Sequence, residues 1–153
     1  MIKYKGIVHN VLNDAPFIGA ILIAPSCTMG CKNCINEHLK NDKILIEDTV
    51  KNIIKKVKAN GLNRGIILSG LEWTETPHGM KALVEEALAK ELKVIIYTHH
   101  DEKTFLKMFP MLSKKSIYIK YGAYDNCQIA SDNVSYGVRL ATENQYIKYY
   151  GVS

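Results

Sequence analysis

Three of the chain's four cysteines fall within eight positions, in the stretch SCTMGCKNCIN that runs from Ser26 to Asn36. Cys27, Cys31 and Cys34 are spaced C-x-x-x-C-x-x-C. Thiols crowded into a polar loop of a cytosolic chain point to metal binding or redox chemistry, because inert core cysteines have no reason to gather there. Three thiolates do not close a tetrahedral zinc site, whereas a four-iron cluster held by three cysteines keeps one iron open to a non-protein ligand. Gly30 permits a tight bend between the first two cysteines, and Thr28, Asn33 and Asn36 can hydrogen-bond cluster sulfurs.

Other readings of these residues stay open at this point. Cys31 and Cys34 alone form C-x-x-C, the spacing of thioredoxin-like redox sites, which leaves Cys27 unexplained. A structural zinc completed by His38 or Cys127 would make a zinc-stabilised binding module. Buried, inert cysteines are the blandest case. Cys127 itself has no companion and reads as a free thiol. His99 and His100 are adjacent, so on a strand end they point opposite ways and read as loop histidines rather than as ligands of one metal.

The cysteine loop needs elements to hold it. Near-continuous apolar runs at Phe17 to Ala24, Gly65 to Gly70, Leu92 to Thr98 and Ser116 to Tyr121 predict strands covered on both faces, as in parallel sheets. Between the first two, Ile46, Val50, Ile53, Ile54 and Val57 recur at helical steps, with Glu47 and Asp48 in the predicted first turn. Thr76 and Pro77 predict the start of a second helix with an apolar stripe of Met80, Leu83, Val84, Ala87 and Leu88. A third begins at Asp101 and carries Phe105, Met108 and Phe109. The order β-α-β-α-β-α-β gives an α/β fold with a mostly parallel sheet and helices packed outside. Residues 122–137 read as a loop, and GVRLAT and YIKYY as edge strands.

At 153 residues, 47% hydrophobic and 23% charged, the chain fits one domain over 1–153 with no repeat or linker. No apolar run approaches the ~18–20 residues that cross a bilayer, and the N-terminus has no signal-like h-region, so a cytoplasmic location without a membrane partner is expected. The net charge is +5. Its densest basic stretch, KNIIKKVK, alternates with apolar residues as a solvated helix face does, and no nucleic-acid partner is expected.

With Cys27, Cys31 and Cys34 following the first run of a β/α array, the chain resembles the radical S-adenosylmethionine (SAM) enzymes, and within them the small activases of glycyl-radical enzymes of the anaerobic ribonucleotide reductase type. Weaker matches fall in the same order along the chain. NVLNDAP (Asn10 to Pro16) resembles the stretch before the activases' first strand, and CIN (Cys34 to Asn36) the end of their cluster loop. SGLEW (Ser69 to Trp73) resembles the Gly-Gly-Glu motif, with Leu71 in place of its second glycine; YTHH (Tyr97 to His100) resembles a strand end lining the cofactor pocket. TENQY (Thr142 to Tyr146) resembles an Asn-Gln-Arg sequence, with Tyr146 in place of arginine.

The resemblance implies a small, open partial (β/α) barrel. It implies one 4Fe-4S cluster on Cys27, Cys31 and Cys34, which are also the catalytic residues. SAM would lie against Asn36, Ser69, Gly70, Leu71, Glu72, Tyr97 and Thr98. The implied activity is an anaerobic oxidoreductase reaction in which SAM is cleaved reductively and a glycyl radical forms on a partner enzyme, with a low-potential donor such as flavodoxin supplying the electron. Radical chemistry on another protein or a small molecule is the alternative within the family.

Overall fold

The computed structural model describes residues 1–26, 45–125 and 127–151. Cys27, Cys31, Cys34 and Asn36, and with them Thr28, Gly30, Asn33 and His38, lie outside the described residues.

Six strands form the main sheet. They are β2 (Gly6–Val11), β3 (Gly19–Ile23), β5 (Gly65–Ser69), β6 (Lys93–Tyr97), β7 (Tyr118–Tyr121) and β10 (Tyr146–Tyr149). Their order is β10-β7-β6-β5-β3-β2. The inner four are parallel, and β2 and β10 close the two edges antiparallel. All four predicted apolar runs became these inner strands. Ile66, Ile67, Leu68, Val94, Ile95 and Ile96 have no exposed surface, the pattern of strands covered on both faces.

Helices α1 (Val50–Ala59), α2 (Pro77–Ala89) and α3 (Glu102–Met108) all pack on one face. There Ile53, Ile54 and Val57 of α1, Met80, Leu83, Val84 and Ala87 of α2 and Phe105 of α3 meet Ala20, Leu22, Ile66, Leu68, Val94, Ile96, Ile119 and Tyr121 of the sheet. The other face carries no described helix. Ile67 and Ile95 are covered instead by Ala15 and Phe17 from the segment before β3 and by Val138, Leu140 and Ile147 from the C-terminal region.

Three expectations need correction. The N-terminal residues fold as β1 (Ile2–Tyr4) and β2, so Phe17 to Ala24 supplies the third strand of the chain rather than the first. Ile46 is not in a helix: β4 (Ile46–Asp48) pairs antiparallel with β1, and α1 starts after Thr49. The reason is the N-cap. Thr49 is extended and its hydroxyl accepts from the Asn52 N–H, while Asp48 accepts from the Thr49 N–H and the Asn52 amide, so the pair ends the strand and opens the helix. The predicted loop 122–137 contains part of a hairpin, β8 (Val134–Ser135) with β9 (Val138–Arg139). Its two-residue turn has positive φ at both Tyr136 and Gly137, the twist that antiparallel strands favour.

Predicted starts held at the other helices. Pro77 is the first residue of α2 behind Thr76, although the Thr76 side chain makes no capping bond. Asp101 caps α3 by accepting from the Thr104 N–H at 2.7 Å. No helix among the described residues is long and apolar enough to cross a membrane.

Candidate functional site

Because β3, β5, β6 and β7 run parallel, their C-terminal ends collect at one edge of the sheet, where loops of α/β folds hold their chemistry. The pairing of β3 and β5 continues past the strands: the Ala24 N–H donates to the Ser69 carbonyl at 3.2 Å, and the Glu72 N–H donates to the Ser26 carbonyl at 3.2 Å. Ser26, the residue before Cys27, is thereby tied to the turn after β5.

That turn is SGLEW. Gly70 has a φ of +88°, a conformation that L side chains rarely adopt, and a Cβ on it would stand 2.7 Å from Ile23 Cγ2. The site's backbone therefore depends on glycine here. Leu71, which stands in place of the second glycine of the motif, turns its side chain into the helix-side core. Trp73 follows, fully buried, with its indole N–H donating to the Leu22 carbonyl at 2.8 Å, so it is a core anchor rather than surface.

Glu72 is buried, with 3% of its surface exposed, and its carboxylate is held from two sides. Oε2 accepts from the Thr74 N–H at 3.2 Å and the Thr74 hydroxyl at 2.7 Å; Oε1 accepts from the His99 N–H at 2.8 Å. A carboxylate offers about four lone-pair sites, so this leaves Oε1 with room for one further donor. His99 Nε2 stands 3.6 Å from Oε1.

From β6, Tyr97 and Thr98 reach the same edge. The buried Thr98 takes the His100 N–H on its hydroxyl at 3.1 Å and keeps its own proton for donation. The Tyr97 hydroxyl donates to the Asp14 carbonyl at 2.6 Å, which holds the Asn10 to Pro16 stretch against β6. Burial, and secondarily the Asp14 charge, push the Tyr97 phenol far above its ordinary range, so it stays protonated.

The two histidines depart from the sequence reading. They follow the strand rather than extend it, and their rings lie side by side with centroids 4.0 Å apart. One ligand atom from each of Glu72, His99 and His100 lies within 4.8 Å of the others. Burial, and after it the neighbouring His99, lower the His100 pKa, while the carboxylates of Glu72, Asp101 and Glu75 pull it up.

Lys120 was not singled out by sequence reasoning. It is buried on β7, on the sheet face that Tyr97 also occupies, with Nζ donating to the Gly122 carbonyl at 2.9 Å and standing 5.4 Å from the Tyr97 ring centre. A lysine inside the otherwise apolar run SIYIKY was the available signal. Thr142 to Tyr146 does different work from a ligand contact. Gln145 Oε1 accepts from the Ala141 and Thr142 N–H groups, its amide donates to the Gly122 carbonyl, and Asn144 donates to the Ala123 carbonyl. Both side chains are thus committed to the backbone after β7. Cys127 is free and exposed.

Residues 18–137 match the family model of a 4Fe-4S single cluster domain. The chain belongs to this iron–sulfur family. Its single-cluster domain runs from the residue before β3 to the turn of the β8–β9 hairpin, so the match takes in the cysteine loop, the Glu72 turn, the two histidines and Lys120. A search of curated proteins found no match, and a search of solved structures found none.

Proposed function

We propose that this chain is a radical SAM enzyme of the glycyl-radical activase group, with anaerobic ribonucleotide reductase as the partner and a low-potential donor such as flavodoxin as the source of electrons. The observation that carries the reading is the tie between Ser26 and Glu72. It sets the start of a three-cysteine loop, in a 4Fe-4S single cluster domain, against a buried carboxylate at the ends of parallel strands. The partial (β/α) barrel belongs to the same proposal.

The residues present fit both groups. Cys27, Cys31 and Cys34 would hold the cluster as three thiolate ligands, and Asn36 follows them in the same loop. Oε1 of Glu72 has capacity for one donor, which suits the SAM ammonium. Gly70 and Leu71 would present backbone, Ser69 and Thr98 would offer hydroxyls, and Tyr97 would contribute its ring. Lys120, buried on the same face with Nζ on the Gly122 carbonyl, would stand near the SAM carboxylate.

When bound, the reduced cluster and SAM supply one-electron cleavage of the sulfonium and, through it, abstraction of a hydrogen atom. The chain's own residues place and shield. Glu72 stays fixed by the three hydrogen bonds it accepts, Thr98 presents its hydroxyl, and the phenol of Tyr97 remains un-ionised and anchored to Asp14. The substrate glycine is delivered by the partner protein.

Anaerobic reconstitution with iron and sulfide tests the reading: broad absorbance near ~400 nm appears, and SAM alters the electron paramagnetic resonance spectrum of the reduced cluster. Adding the reductase then gives a glycyl radical signal. A SAM response without that signal moves the activity to another protein or a small molecule; one bound zinc with no cluster overturns the proposal.

A further inference from the structure

We infer that Glu72, His99 and His100 form a second metal site, outside the cysteine loop, for a borderline divalent cation of the zinc type. This goes beyond the function proposed above and does not rest on it.

Three features converge. The first is geometry: the three ligand atoms lie within 4.8 Å of one another, and Glu72 Oε1 is 3.6 Å from His99 Nε2. That separation is too long for a hydrogen bond and close to the ~3.4 Å between two ligands that share a tetrahedral ion at ~2.1 Å each. The second is rigidity. Glu72 is clamped by Thr74 and by the His99 N–H, and the His100 backbone is held through its N–H to Thr98, so the carboxylate and the backbone that carries both imidazoles are in place before any ion arrives.

The third is charge. Apart from His99, the ionisable groups acting on His100 are carboxylates, Glu72, Asp101 and Glu75. Two imidazoles and a carboxylate select zinc, cobalt, nickel or ferrous iron over magnesium or calcium, and three protein ligands leave a position open. A cation here draws on the same Oε1 that would receive the SAM ammonium, so the two occupants exclude each other.

The test is a zinc titration against a chromophoric chelator, run on two forms of the full chain. One is the cluster-loaded protein, whose loop thiolates are occupied. The other carries Cys27→Ser, Cys31→Ser, Cys34→Ser and Cys127→Ser and so offers no thiol. One zinc per chain is expected in each, with a rise in melting temperature that a chelator reverses. His99→Gln and His100→Gln, each with an unchanged circular dichroism spectrum, should weaken binding at least tenfold and abolish the thermal shift. Absence of zinc binding in whichever form folds, or binding that neither histidine substitution weakens, overturns the site. SAM binding is read separately from the cluster spectrum, so failure here leaves the proposed function standing and the reverse also holds.

Discussion

The backbone N–H of Glu72 donates to the carbonyl of Ser26, so the residue before Cys27 is tied directly to the residue that carries the buried carboxylate after β5. The bond extends a parallel strand pair by one step beyond Ala24 and Ser69. Ser26, next to the first cysteine in the sequence, thus sits at the edge where Thr98 and His99 also arrive.

The three loop cysteines should each be needed for the cluster. Cys27, Cys31 and Cys34 fall between β3 and β4 in the sequence, and the described residues form two hydrophobic clusters, one on each face of the sheet. Cys27→Ala, Cys31→Ala and Cys34→Ala should each reduce iron and sulfide well below the four of each that a 4Fe-4S cluster holds, while the far-ultraviolet circular dichroism stays as in the unsubstituted protein. Iron and sulfide analysis after anaerobic reconstitution checks this. Full cluster content in any one variant would remove that cysteine from the ligand set.

Gly70→Ala should damage the site more than its size implies. The substitution forces a side chain into a φ of +88° and drives its Cβ to 2.7 Å from Ile23 Cγ2. Strain of this kind costs about 1–3 kcal/mol, and relief requires the SGLEW turn to shift away from β3. Urea denaturation should show the loss of stability, and SAM affinity should fall with it.

Glu72 separates stability from binding. Removing its carboxylate in Glu72→Ala strands the N–H groups of Thr74 and His99, at about 2–4 kcal/mol. Glu72→Gln keeps one acceptor oxygen and should lose about half as much, yet it forfeits the charge that would attract an ammonium or a cation. Chemical denaturation gives the first comparison, and ligand titration of Glu72→Gln gives the second. A Gln variant that binds SAM and zinc as the native chain does would take Glu72 out of both sites.

Much of this scaffold was readable beforehand because its inner strands are apolar on both faces. Ile66, Ile67 and Leu68 leave no alternation to misread, and the stripe of Met80, Leu83, Val84 and Ala87 has a single amphipathic solution. Ile46 was misassigned because a three-residue strand ahead of a helix carries the same spacing as a first turn; only the hydrogen bonds of Asp48 and Thr49 divide them. The N-terminal strands were missed since β2 is exposed along much of its length and lacks an apolar run. His99 and His100 were read as diverging because strand geometry was extended two residues too far. The bend after Thr98 brings their rings together, and nothing in the local sequence encodes that bend without its partner Glu72.

The tie between α3 and the edge strand β10 should respond to pH in a defined direction. Glu102 accepts from Lys148 Nζ and from the Tyr146 hydroxyl, both at 2.8 Å, and these bonds, that from Lys148 first, hold its carboxyl below the ordinary value of 4.5. A depressed folded-state pKa means that the unfolded chain binds the proton more readily. The stabilisation is therefore complete above the unfolded value and is lost as pH falls through the folded one. Glu102→Gln should lower the urea midpoint relative to the native chain at neutral pH, and the gap should close as pH drops below 4.5. The pair is partly exposed, so molar salt should shrink the gap at neutral pH as well. A gap that persists unchanged into acid would mean that Glu102 contributes through packing of its stem rather than through its charge.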